Sequence, residues 1–143
     1  AAGQVASKHA ASALSGILGV LRMVLRSVAT DVTTREVFDV AFYKIECVGE
    51  MHAVRKRRIE AANLFTQQME DELALAAKQL GVSLPVAAAT AARGLHAVFD
   101  GILHAWLLDE GVPFDLELEG MQAVHLYLKG LGLDAEKEIL QTS

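Results

Sequence analysis

The chain is poor in the residues that interrupt or cross-link a fold. It has two prolines, Pro85 and Pro113, and one cysteine, Cys47, in 143 residues. A lone cysteine excludes an intramolecular disulfide and fits a reducing cytoplasm. With a Lys beside it but no placed His base, Cys47 reads as a small buried residue rather than a nucleophile. Runs of alternating β-branched residues are missing, which excludes a sheet-based fold. A basic excess is missing too. The net charge of −5 argues against this chain alone binding nucleic acid. There is no phosphate-binding glycine loop, no nucleophile elbow and no internal repeat. The most apolar stretch, Leu14 to Val28, is too short for a membrane span and carries Arg22 and Arg26. The chain begins Ala-Ala-Gly without a signal-peptide pattern, and is expected to be a piece of a longer or trimmed protein.

What is abundant is apolar and helical. Hydrophobic residues make up 52% of the chain, and the mean hydropathy is +0.31. Such an excess suggests a buried cavity, a partner surface or both. The periodicity predicts an all-α fold, an antiparallel bundle of five main helices in one domain spanning residues 1–143. The first runs from about Val5 to Ala29, with Leu14, Ile17, Leu18, Leu21, Val24, Leu25 and Val28 as its stripe. Thr33 and Glu36 form a capping box for the second, which ends near Cys47 at the Gly49 break. The third spans about Glu50 to Leu80, with Ala62, Phe65, Met69, Leu73, Ala76 and Leu80 facing inward and Gly81 as its stop. Pro85 opens the fourth and Gly111 closes it. Asp115 caps the fifth, which ends near Gly130, and a last short segment starts at Asp134.

Projected at about 100° per residue, the fourth helix has distinct faces. One carries His96, Phe99, Asp100, Leu103 and Leu107, and the opposite one is small, with Thr90, Gly94, Ala97, Gly101 and Ala105. Glycine inside a helix costs about 1 kcal/mol against alanine, so two on one face suggest a helix packed very close. That neighbour belongs either to the same chain or to a second subunit. His96, Asp100 and His104 at i, i+4, i+8 raise the question of a metal. Ligands from one helix, with no second acidic cluster and no Glu-x-x-His pair, do not complete a shell, so no metal is expected. The mixed face fits either a cavity with a few polar anchors or satisfied polar groups. The basic run Arg55 to Arg58 spreads around its helix and reads as a solvated face. Nothing in the sequence supports catalysis, and no cofactor is expected.

The stretch VFDVAFYKIECVGEM, residues 37–51, puts two of the five Phe and one of the two Tyr into a short helix followed by a glycine. From Phe42 to Met51 it resembles the helix junction in the C-terminal domain of TetR-family repressors, in the AcrR/TtgR branch that controls multidrug efflux pumps. Phe99 to Leu108, FDGILHAWLL, is similar to a second block of that branch, in register with the first. The resemblance covers roughly residues 10 to 131. It implies an effector-binding and dimerisation domain, with operator DNA read only by an N-terminal helix-turn-helix domain that this chain does not contain. By position, it puts the pocket wall on Ile17, Val20, Leu21, Val24, Phe38, Ala41, Phe42, Phe65, Met69, His96, Phe99, Asp100, Leu103 and His104. It departs from the branch at Phe38 and Phe42, where relatives are polar, and at His104, where they carry Arg. The implied ligand is a hydrophobic or aromatic small molecule that releases the repressor from DNA. The implied partner is a second copy, docked through Gly94, Ala97, Gly101 and Ala105 together with Met121, Val124, Leu128 and Leu131. A helical interaction module without a ligand site is the competing reading, and an enzyme ranks third.

Overall fold

A computed structural model describes residues 12–40, 51–108 and 113–134. Ala41, Phe42, Cys47, Gly49 and Gly111, the first helix before Ser12 and the segment after Asp134 lie outside the described residues. All regular structure among the described residues is helical: α1 (Ala13–Thr30), α2 (Val32–Asp39), α3 (Met51–Leu80), α4 (Ala88–Leu107) and α5 (Leu116–Gly130). The all-α expectation holds. Helices α1, α3, α4 and α5 form a closed circuit of neighbours, each packing on the next, and the short α2 lies against α1.

The core follows from helical periodicity. Leu14, Ile17, Leu21, Leu25 and Val28 recur at three- and four-residue spacing, and all are buried. Burying each such side chain stabilises the fold by roughly 1.5–3 kcal/mol. Leu73 and Ala76 meet this stripe from α3, Leu95 and Leu103 from α4, and Val124 and Leu128 from α5. α1 has the length and hydropathy of a membrane span, but its leucine stripe is covered by the other three helices.

The ends of the helices show local chemistry at work. The Ser12 hydroxyl accepts from the Ser15 amide at 3.2 Å. The Gln79 side-chain oxygen, from the far end of α3, accepts from the Ala13 amide at 2.9 Å. Two of the four unpaired amides at the start of α1 are thereby satisfied. Asp115 caps α5 as expected, accepting from the Leu118 amide at 3.0 Å. Glu117 in the first turn of α5 receives two hydrogen bonds from Arg26 of α1, at 2.6 and 3.1 Å. Those bonds hold its carboxyl below the usual carboxylate range. At the end of α3, Gly81 has φ +67°, and its amide donates to Lys78 O while that of Val82 donates to Ala77 O. This paired closure needs a left-handed residue, which glycine adopts without a Cβ clash.

Two boundaries differ from expectation. Asp31, not Thr33, caps α2: its carboxylate accepts from the Thr33 amide at 3.2 Å and the Thr34 hydroxyl at 2.7 Å. An ionised oxygen is the stronger acceptor of the two candidates. α4 starts at Ala88 without a side-chain cap, so Pro85 precedes the helix instead of opening it. α5 ends at Gly130, as expected, and Gly132, at φ +87°, turns the chain after it.

Candidate functional site

A cavity of about 510 Å³ opens between α1, α2, α3 and α4. Val24 of α1 and Phe38 of α2 form one side; Arg55, Arg58, Ile59, Ala61, Ala62 and Phe65 of α3 form another; His96, Phe99 and Asp100 of α4 close it. Phe99 is buried, whereas Arg55, Arg58 and Ile59 are exposed. The aromatic floor therefore lies deep and the guanidinium groups stand toward solvent. The α3 lining follows from its register: Arg55, Arg58, Ala62 and Phe65 recur at three- and four-residue steps, one face of a helix.

The floor is aromatic. Phe65 and Phe99 are stacked with ring centroids 6.3 Å apart, and the Phe65 ring lies 5.1 Å from that of His96. These separations are those of favourable ring pairs. His96 and Asp100, one turn apart on α4, form an ion pair with Nε2 3.1 Å from Oδ2. The hydrogen bond to Asp100 raises the His96 pKa from its ordinary value, opposed by burial and by the nearby Arg58 charge. The site offers a planar apolar surface of moderate size, with cationic and anionic groups at one end. That suits noncovalent capture of an amphipathic molecule. Among the described residues no three His, Cys, Asp or Glu side chains gather as metal ligands would.

Of the fourteen positions carried over from the resemblance, Val24, Phe38, Phe65, His96, Phe99 and Asp100 line this cavity. Ile17, Leu21, Met69 and Leu103 do not; they are buried in the core. Val20 is 43% exposed and points away from the core, and His104 is exposed and outside the lining. The reason is angular. A helix with an apolar stripe on the core can present only the edge of that stripe to a lateral cavity, and on α1 that edge is Val24. Arg55 and Arg58, read from the sequence as solvated, line the cavity. The signal was available: they extend the Ala62–Phe65 face by one and two turns.

The expected partner surface is also revised. Met121, Val124, Leu128 and Leu131 are buried within the chain's own core. A helical apolar period marks a buried face without specifying whose atoms bury it. Gly94 likewise has an intrachain neighbour. The Tyr127 hydroxyl of α5 donates to Ala91 O at 2.7 Å, and a Cβ on Gly94 would collide with that hydroxyl. Ala97, Gly101 and Ala105 are exposed, and among the described residues no atom outside its own helix lies within 4 Å of a Cβ built on Gly101. On α5 the outward face carries Leu118, 58% exposed, and Leu126, 73% exposed.

Arg35 and Trp106 flank the site without lining it. Arg35 donates to the carbonyls of Ala29 at 2.8 Å and Val28 at 3.4 Å, where α1 ends. Its guanidinium carbon lies 4.9 Å from the centroid of the Trp106 ring.

A TetR C-terminal family model, described as MAATS-type transcriptional repressor, C-terminal region, matches residues 13–133. No curated protein and no solved structure matches the chain.

Proposed function

The chain belongs to the MAATS-type group of TetR-family repressor C-terminal regions, and from that premise we propose that it is the effector-sensing and dimerisation domain of a cytoplasmic repressor of a multidrug efflux operon. The observation that carries this reading is the cavity of about 510 Å³ floored by Phe65 and Phe99. Apolar area binds in proportion to its burial, at ~25 cal/mol per Å², and tolerates ligands of different shape. The few polar groups at one end orient a ligand more than they select it.

The effector works by linkage. It shifts the repressor only through its preference for the shape that cannot bind DNA. A ligand wedged between α1, α2, α3 and α4 acts on the helices that the family's DNA-reading domain would ride on. The dimer is assigned to the exposed Ala97, Gly101 and Ala105 of α4 with Leu118 and Leu126 of α5. Those exposed leucines also support the competing reading, a helical interaction module without an effector.

Titration calorimetry over a panel of hydrophobic and amphipathic aromatic compounds separates the two. Several compounds are expected to bind, and Phe65→Ala should weaken them together by about tenfold, because it removes stacking area common to all. A panel in which nothing binds below about 100 µM, near −5.5 kcal/mol, sinks the effector reading and leaves the interaction module.

A further inference from the structure

We infer that Arg35 is a specificity-determining residue of a cavity it does not line: by bracing the corner between α1 and α2 it positions Phe38, and so sets the width of guest the site admits. The inference deepens the effector reading above and rests on it.

The corner is one residue long, since α1 ends at Thr30 and α2 begins at Val32. Asp31 between them serves both helices. Its amide donates to Ser27 O at 2.8 Å, closing α1, and its carboxylate caps α2. A joint of one residue leaves the angle between the helices to two soft dihedrals, unless a side chain spans it. Arg35 spans it. Its guanidinium donates to Val28 O and Ala29 O, and the last four carbonyls of a helix lack a donor within it. A cation placed there also meets the negative end of the α1 dipole. The same group rests on the Trp106 ring of α4, so one side chain ties α2 to two other helices. The tie matters because no residue of α2 is buried, and burial therefore contributes little to holding it. Phe38 follows Arg35 by three residues, on the same face of α2, and lines the cavity. The floor it faces, Phe65 and Phe99, belongs to α3 and α4, which are anchored by the buried Leu73, Leu95 and Leu103. The core thus fixes the floor, and Arg35 fixes the wall. Without the brace Phe38 can retreat while the floor stays.

The test compares the full chain with Arg35→Met, which keeps length but no donor or charge, and Arg35→Lys, which keeps the charge without the planar fork. A melting curve of each verifies that it folds. In hydrogen exchange without ligand, the α2 amides of Arg35→Met should exchange about tenfold faster, and those of the α5 core should not change. Two neutral probes with one polar group, naphthylmethanol and pyrenylmethanol, are then titrated calorimetrically. In Arg35→Met the ratio of their affinities should move toward the wider pyrenyl probe by at least about fivefold, equivalent to about 1 kcal/mol. Arg35→Lys should show a smaller shift in the same direction, and it carries the comparison if Arg35→Met does not fold. A ratio that stays put or moves toward the naphthyl probe, equal weakening of both included, overturns this inference and leaves the effector reading standing. Unchanged exchange in α2 overturns it too, because Arg35 then braces nothing. If neither probe binds any of the three proteins, the effector reading fails and takes this inference with it.

Discussion

Replacing Gly94 by alanine tests a close approach between α4 and α5. A Cβ at that position would meet the Tyr127 hydroxyl and lie 2.8 Å from the ring carbon Cζ. The ring cannot swing aside freely, because its hydroxyl donates to Ala91 O at 2.7 Å, on the same helix as Gly94. Two effects oppose each other. Alanine in a helix interior gains about 1 kcal/mol over glycine. Overpacking costs roughly 1–3 kcal/mol, and losing the tyrosine hydrogen bond costs about 1 kcal/mol more if the ring is displaced. Gly19→Ala isolates the first effect, since Gly19 lies within α1 and, among the described residues, no atom outside its own helix lies within 4 Å of the added carbon. Urea unfolding at one protein concentration should therefore show Gly19→Ala stabilised by about 1 kcal/mol. Gly94→Ala should fall about 1–3 kcal/mol below it. In a Tyr127→Phe background the penalty should shrink, because the atom nearest the new Cβ is gone. If Gly94→Ala stabilises as much as Gly19→Ala, or if Tyr127→Phe leaves its cost untouched, α4 and α5 do not meet as described.

Two further outcomes are expected. Gly101→Leu should convert the proposed dimer to a monomer in sedimentation equilibrium without loss of helicity, because among the described residues no atom outside its own helix lies within 4 Å of a Cβ there; a wild type already monomeric at high micromolar concentration refutes the assignment of that face. The His96–Asp100 pair should contribute a pH-dependent stability. The folded-state His96 pKa is raised above its ordinary 6.5, so the contribution is complete below that ordinary value and is lost as pH rises through the raised one. Unfolding free energies of wild type and Asp100→Asn should thus differ most below the ordinary value and converge as pH rises through the raised one. The difference should stay below about 1 kcal/mol, given the partial exposure of both groups. A pH-independent difference would show that the pair is not formed.

The elements that were legible in the sequence are those whose signal is local. The α1 stripe from Leu14 to Val28, the inner face of α3 through Leu73 and Ala76, the stop at Gly81 and the cap at Asp115 each follow from a few neighbouring residues. Where two local signals competed, sequence alone chose poorly: Asp31 and Thr33 both carry capping oxygens, and only the path of the chain leaving α1 decides between them. Questions of which surface meets which were beyond periodicity. Met121, Val124, Leu128 and Leu131 show the same spacing whether their partner is α1 or another chain. On α4, His96, Phe99 and Asp100, a face too mixed for a core, line the cavity. On α1, Ile17 and Leu21 lie at the centre of a stripe whose edge alone meets it. The arginines of α3 are exposed, as a basic run spread around a helix should be, and that they also border the cavity depends on where α4 packs, which the run itself does not encode.

The contact between Arg35 and Trp106 gives the protein an optical gauge of a particular kind. Trp106 is the chain's single tryptophan, and it is not among the residues that line the cavity. What touches it is a guanidinium on α2 that also holds the last carbonyls of α1. Emission at that ring is therefore expected to follow the posture of the α1–α2 corner. Two compounds of equal affinity can give different spectra, and the difference sorts those that move the corner from those that merely occupy the space behind it.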